Sequence, residues 1–271
     1  MHIELAQLAC VEGDIQHNLA RALEVIQHSD DGTDLIIFPE MHLTGFAEPG
    51  HVRDRALTLD GTEIDALHKA AQANDIAIAT GLIERDGERF YNTTVLITPE
   101  QRIALRYRKT HLWPDERELV EPGDRMVTCL WRGLRVGLLI CYDIEFPETA
   151  RALAALDAQL LIITNGNMDP YGPVHRTAAM ARAMENQAFV AMTNRAGEGT
   201  GLTFAGESAV VDPFGRIVDA CGREEQTCRV ALDLTLLEQV RCNYRYLEDR
   251  RLTLQGHAVV TQDNGREWHF S

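Results

Sequence analysis

Three side chains with complementary chemistry stand where three apolar runs stop. Leu35-Ile36-Ile37-Phe38-Pro39 ends on Glu40, Leu105-Arg106-Tyr107-Arg108 on Lys109, and Gly137-Leu138-Leu139-Ile140 on Cys141. Taken singly, each has an ordinary explanation. A strand-end glutamate is usually solvated, a lysine after a basic strand is usually surface charge, and a cysteine after an apolar run usually packs in the core. Taken together, they are a complete acyl-transfer set. The thiolate of Cys141 is a nucleophile, and its pKa falls if it faces a lysine or the helix expected to begin near Pro147. A neighbouring carboxylate takes the thiol proton and later returns it to a leaving amine. A lysine and a backbone N–H hold the oxyanion of the tetrahedral intermediate.

Such a set works only if the fold brings three strand ends together. Sites in α/β sheets collect beyond the carboxyl ends of strands, and the pattern here is one of alternating strands and helices. Ile3–Cys10 reads as a strand and Asp14–His28 as a helix with apolar positions Ile15, Leu19, Leu23 and Ile26. Leu35–Phe38, Ile76–Ile83, Leu134–Ile140, Leu160–Thr164, Phe189–Thr193 and Arg229–Leu234 read as strands. Glu63–Ala73, Pro147–Leu156, Val174–Asn186 and Leu236–Arg245 read as helices. Two hairpins are expected, Asn92–Ile97 with Arg102–Tyr107 and Ser208–Val211 with Ile217–Ala220, each around a Pro-containing turn. Hairpins exclude a purely parallel sheet, so the expected class is α/β with mixed sheets and helices on the outer faces. No linker divides the 271 residues, and the expectation is a single domain over 1–271.

Composition narrows the partners. The net charge of -15 is a poor match for nucleic acid or anionic membrane, and no apolar run reaches spanning length. Cys10, Cys129, Cys141, Cys221, Cys228 and Cys242 form no C-x-x-C pair and no zinc-finger spacing. The start, Met1-His2-Ile3-Glu4-Leu5-Ala6, lacks a basic stretch before an apolar core. These features read as a cytoplasmic, reducing location with free thiols and no metal centre. No phosphate-loop or dinucleotide fingerprint is present.

Phe38-Pro39-Glu40, Tyr107-Arg108-Lys109-Thr110-His111-Leu112 and Ile140-Cys141-Tyr142-Asp143-Ile144-Glu145-Phe146-Pro147-Glu148 occur in this order. They resemble the three signature motifs of the nitrilase superfamily, carbon–nitrogen hydrolases with a Glu-Lys-Cys triad. Asn165-Gly166-Asn167, Arg182-Ala183-Met184-Glu185-Asn186 and Asp212-Pro213-Phe214-Gly215 fit as well, so the resemblance covers nearly the whole chain. It implies a four-layer α-β-β-α sandwich with mixed sheets and a homodimer or higher homo-oligomer. The tail, 256–271, would lie at an oligomer contact. It also implies a second glutamate after the lysine. Family spacing favours Glu116, with Glu118 as the fallback. The implied mechanism has Glu40 as base, Cys141 as nucleophile, Lys109 and the Tyr142 backbone N–H at the oxyanion, and water activated by Glu40 or Glu116. No cofactor is required.

Within the superfamily the motifs are most similar to amidases of small aliphatic and amino-substituted amides, such as those acting on 5-aminovaleramide. Asn167-Met168-Asp169-Pro170-Tyr171 matches them too. The expected activity is release of ammonia from a small neutral or cationic amide. The alternatives are N-carbamoyl amide hydrolysis with carbon dioxide as a further product, nitrile hydrolysis, and an inactive interaction domain. Relatives that bind a substrate carboxylate carry arginine where this chain has Glu145, which would instead repel a carboxylate and attract an ammonium. The competing expectation is that Glu145 pairs with a nearby arginine. Asn167, Met168, Trp113 and Phe46, with Tyr171, follow strand ends where pocket walls form. Asp143 is expected to be a structural acceptor, and His111 structural rather than half of a Cys-His dyad.

Overall fold

The computed structural model describes residues 1–261 and 263–270, with Asn243 known by its backbone alone. The first part of the chain supplies β1 (His2–Gln7), α1 (Ile15–Gln27), β2 (Leu35–Ile37), α2 (Val52–Arg55), α3 (Thr62–Asn74), β3 (Ala77–Asp86), β4 (Arg89–Ile97) and β5 (Leu105–Arg108). The next part supplies β6 (Arg125–Trp131), β7 (Leu134–Ile140), α4 (Pro147–Ala155), β8 (Leu160–Asn165), α5 (Gly172–Asn186) and β9 (Phe189–Asn194). A small pair, β10 (Glu198–Gly199) and β11 (Leu202–Thr203), precedes β12 (Ala209–Val211), β13 (Ile217–Ala220) and β14 (Gln226–Ala231). The chain finishes with α6 (Leu236–Asn243), α7 (Tyr246–Asp249), β15 (His257–Val260) and β16 (Arg266–His269).

Two mixed sheets result, ordered β14-β1-β2-β3-β4-β5 and β13-β12-β9-β8-β7-β6-β16-β15. Side-chain alternation assigns the layers. Ile3, Leu5, Leu35, Ile37, Ala77 and Ala79 face the second sheet within one continuous apolar cluster. Ala6, Ile36 and Ile78 face the other way, onto Leu19, Ala22 and Ile26 of α1 and Ile64, Leu67 and Ala71 of α3. The central strands β7 and β8 are buried along their whole length, as expected of strands covered on both faces. Leu153 of α4 and Ala179 and Ala183 of α5 close the outer face of the second sheet. The architecture is therefore the expected α-β-β-α sandwich.

Both expected hairpins form, β4–β5 and β12–β13. Other hairpins were not expected, β3–β4 and β6–β7 among them. β3 turns into β4 at Gly87, and β6 turns into β7 at Arg132-Gly133, where both residues have positive φ. The tail, 256–271, is the other addition: β16 pairs antiparallel with β6 of its own chain, Trp268 opposite Met126, and β15 lies outside it. Gln262 and Ser271 of that tail lie outside the described residues. Among the described residues no helix is long and apolar enough to cross a membrane.

Candidate active site

Glu40 reaches its position through a close crossing of backbone. After β2, Pro39 O accepts from Gly81 N at 3.2 Å, and Leu43 N donates to Gly81 O at 3.2 Å. A Cβ on Gly81 would stand 2.3 Å from Met41 N, so only glycine lets β3 pass beneath this turn. Lys109 is fixed on both sides. Its N–H donates to Asn92 O at 2.8 Å and its carbonyl accepts from Gly123 N at 2.8 Å. Gly123 is required there, because a Cβ would meet Arg108 O at 2.2 Å.

Cys141 ends β7 on a sharp elbow with φ 45°, and a short 3-10 helix, Cys141–Glu145, begins there. Asp143 anchors the elbow. Its carboxylate accepts from Ile140 N (3.2 Å), His111 N (2.9 Å) and the Tyr107 hydroxyl (2.8 Å). The loop that carries Lys109 is thereby tied to the elbow that carries Cys141. His111 also has Nδ1 3.0 Å from Asp143 and stacks on Phe146, its ring centroid 3.9 Å away. Both residues therefore have the structural roles expected of them.

The three strand ends converge. Lys109 Nζ donates to Glu40 Oε1 at 2.7 Å and to Glu116 Oε2 at 2.6 Å, and all three groups are buried. Glu116 Oε2 also accepts from Trp113 N at 2.9 Å. Glu118 is exposed and takes no part. One side chain absent from the sequence expectations joins the cluster: Asn92 Nδ2 lies 2.7 Å from Glu40 Oε1 and 2.7 Å from Glu116 Oε1. Its sequence signal was an asparagine inside a strand, a position where this residue is depleted.

Electrostatics correct one expectation. The Cys141 thiol is held well above its ordinary pKa, first by burial and then by the facing Glu40 carboxylate, with Lys109 pulling the other way. Lys109 does not prevail, because its ammonium is shared with the Glu40 and Glu116 carboxylates. Burial also raises Glu40, opposed by Lys109 and reinforced by Glu116. Burial alone would discharge Lys109, but the Glu116 and Glu40 carboxylates outweigh it and hold the ammonium charged. The resting site thus pairs a protonated thiol with a carboxyl of raised proton affinity, an arrangement in which proton removal accompanies attack.

These groups open onto a cavity of about 190 Å³. Cys141, Glu40, Lys109, Glu116 and Tyr142 form its floor, and Phe46, Trp113, Asn167, Met168 and Tyr171 its walls, so the residues expected to line the pocket do so. Trp113 packs edge-on against Tyr142 and Tyr171, with centroids 5.2 and 5.8 Å away. Glu48, Asp115, His175, Thr200 and Leu202 also line it and were not anticipated. Glu145 faces the cavity, and its partner is a histidine, not the expected arginine: Oε1 lies 3.0 Å from His175 Nε2, whose Nδ1 is 3.1 Å from Asn165 Oδ1. The neighbouring Arg182 instead spends its guanidinium on the Ile144 and Glu145 carbonyls and on Glu185.

The model of the carbon-nitrogen hydrolase family matches residues 3–242. The chain is 54% identical over 268 residues to an (R)-stereoselective amidase of a Pseudomonas species, covering 98% of this chain and 97% of that protein. A CN-hydrolase superfamily protein of Xanthomonas campestris, solved with an arsenic adduct in its active site, superposes with TM-score 0.87 at 25% identity, over 94% of this chain and 99% of that one. A mutant of the amidase from Nesterenkonia sp. AN1, in which acrylamide has added to the active-site cysteine, superposes with TM-score 0.82 at 29% identity, over 93% and 96%.

Proposed function

The chain belongs to the carbon–nitrogen hydrolase family of the nitrilase superfamily, and from that premise we propose that Glu40, Lys109, Cys141 and Glu116 hydrolyse a small amide to its carboxylic acid and ammonia. The observation that carries this reading is the double contact of Lys109 Nζ, 2.7 Å from Glu40 and 2.6 Å from Glu116, on the floor of the cavity that Cys141 also lines.

Glu40 takes the Cys141 proton as sulfur bonds to the amide carbon. The oxyanion is received by Lys109 and by the N–H of Tyr142, which lies in the first turn of the Cys141–Glu145 helix, where backbone donors lack intrahelical partners. The carbon–nitrogen bond breaks as Glu40 gives its proton to the departing ammonia. Water then attacks the thioester, losing a proton to Glu40, and the carbon–sulfur bond breaks to regenerate the thiol.

The cavity walls favour neutral and cationic acyl groups. Glu145 and Asp115 place carboxylates around it, while Glu48 is paired with Arg55, and Trp113, Tyr142 and Tyr171 offer aromatic surface that suits an ammonium. We further place the enzyme in the cytoplasm, where its cysteines stay reduced, as one hydrolase domain that forms a homodimer or higher oligomer. The exposed Val174, Met180 and Met184 of α5 support an assembly face.

The test is ammonia release over formamide, propionamide, 5-aminovaleramide, ω-amido acids and N-carbamoyl compounds, with carbon dioxide measured in parallel. Folded Cys141→Ala and Cys141→Ser are expected to lose about a thousandfold or more. Full activity in Cys141→Ala would overturn the reading, and equal carbon dioxide and ammonia would reassign it to carbamoyl hydrolysis.

A further inference from the structure

Two buried carboxylates contact Lys109, yet their four oxygens are not equivalent. Glu116 has both oxygens engaged: Oε1 accepts from Asn92 Nδ2, and Oε2 accepts from Lys109 Nζ and Trp113 N. Glu40 has one engaged. Oε1 accepts from both Lys109 Nζ and Asn92 Nδ2, at 2.7 Å each, while Oε2 is buried without a hydrogen-bond partner among the described residues. That free oxygen lies against Gly166, where a Cβ would come within 2.8 Å of it. The Gly166 backbone N–H also faces the Cys141 thiol.

Asn92 fits this bridging position by its chemistry. A primary amide nitrogen carries two N–H groups, and here each meets a different carboxylate. The opposite orientation would set the amide oxygen against two carboxylates, so the amide has a single acceptable orientation. The residue is fully buried on β4, and its own carbonyl receives the Lys109 N–H at 2.8 Å. One strand residue therefore locates the base, the second glutamate and the lysine at once.

We propose that Asn92 is a positioning residue that, with Lys109, occupies Oε1 of Glu40 and so leaves Oε2 as the oxygen that takes the thiol proton and returns it to the leaving amine. The same geometry assigns activation of water to Glu40 rather than Glu116, whose two oxygens are both committed. The proposal rests on the amidase reading of this site. The titratable groups facing Glu40 are Lys109 beyond β5, Glu116 of the 3-10 turn Pro114–Glu116, and Cys141 beyond β7. Deleting the amide removes two donors that favour charged carboxylates, so Glu40 holds its proton to higher pH.

The experiment compares wild type with Asn92→Ala, Asn92→Asp and Asn92→Ser. Two readouts are taken across pH: kcat and KM for ammonia release, and the rate of Cys141 alkylation by iodoacetamide, which needs no substrate. Asn92→Ala is expected to lower kcat about tenfold or more, to leave KM within about threefold, and to move the acidic limb of both profiles to higher pH. Asn92→Asp, which adds a third carboxylate, is expected to be worse. Asn92→Ser, which keeps one hydroxyl donor, should be intermediate, and it decides the matter if the alanine variant does not fold. A folded variant with kcat within twofold of wild type and an unmoved acidic limb overturns the proposal. A wild-type chain that releases ammonia from none of the amides overturns the amidase reading instead, and the alkylation profile still decides the role of Asn92.

Discussion

Glu40 Oε2 and Gly166 lie so close that a Cβ added at Gly166 would come within 2.8 Å of that oxygen, and within 2.3 Å of Phe46 Cζ. Gly166 follows β8 in the second sheet, and Glu40 follows β2 in the first. The absent side chain is what lets the base approach the nucleophile.

Gly166→Ala is therefore expected to fold but to push Glu40 and Phe46 out of register. A displacement approaching 1 Å costs on the order of a hundredfold in rate. Steady-state kinetics should show the loss mainly in kcat, with the alkylation rate of Cys141 also altered. Wild-type kcat in this variant would mean that the base tolerates the crowding.

The raised proton affinity of Glu40 sets two opposed pH dependences. Activity needs the carboxylate, so kcat/KM should climb through a limb displaced above the ordinary carboxylate range. Stability runs the other way. A carboxyl whose folded pKa exceeds its unfolded value stabilises fully below the unfolded value, and that contribution disappears as pH rises through the folded one. Glu40→Gln, inactive but free of this penalty, should gain thermal stability relative to wild type as pH is raised from about 4 to 8. Melting temperatures that keep a constant difference across that range would contradict the assignment.

Glu145 should govern substrate charge. Glu145→Gln keeps the shape and a hydrogen-bonding oxygen facing His175 but removes the charge, and the kcat/KM preference for 5-aminovaleramide over propionamide should shrink about tenfold. A higher kcat/KM for glutaramate than for aminovaleramide in wild type would show that the acidic wall does not select.

What was legible in the sequence follows from where each residue sits. Glu40, Lys109 and Cys141 end apolar strands, so local pattern exposed them, and Glu116 came from the resemblance. Asn92 and His175 lie inside a strand and a helix, and their roles exist only once distant segments meet: Asn92 is 52 positions from Glu40, and His175 is 30 from Glu145. β6 escaped notice although Pro122-Gly123 and Arg132-Gly133 bound it, and one of its two partners, β16, comes from a polar tail. The direction of the thiol pKa was misjudged because sequence shows which charges are near but not that two acids have already claimed the lysine. Burial then decides the sign.

The bonds that join the sheets have a mechanical consequence. Glu40, Asn92 and Lys109 ride on one sheet, Cys141 and Gly166 on the other, and the two are pinned by the Thr94–Thr164 hydroxyl contact at 2.6 Å, Glu40 N to Asn165 O at 3.3 Å and Tyr107 to Asp143. Reactive geometry is thus a property of sheet alignment, whereas the acyl pocket hangs largely on loops such as the β10–β11 turn carrying Thr200. Turnover and substrate range are separable only where a wall residue leaves the cluster alone: the Thr200 turn can be exchanged to admit new acyl groups, whereas Trp113, whose N–H holds Glu116, cannot, and slippage between the sheets would silence the enzyme toward every substrate alike.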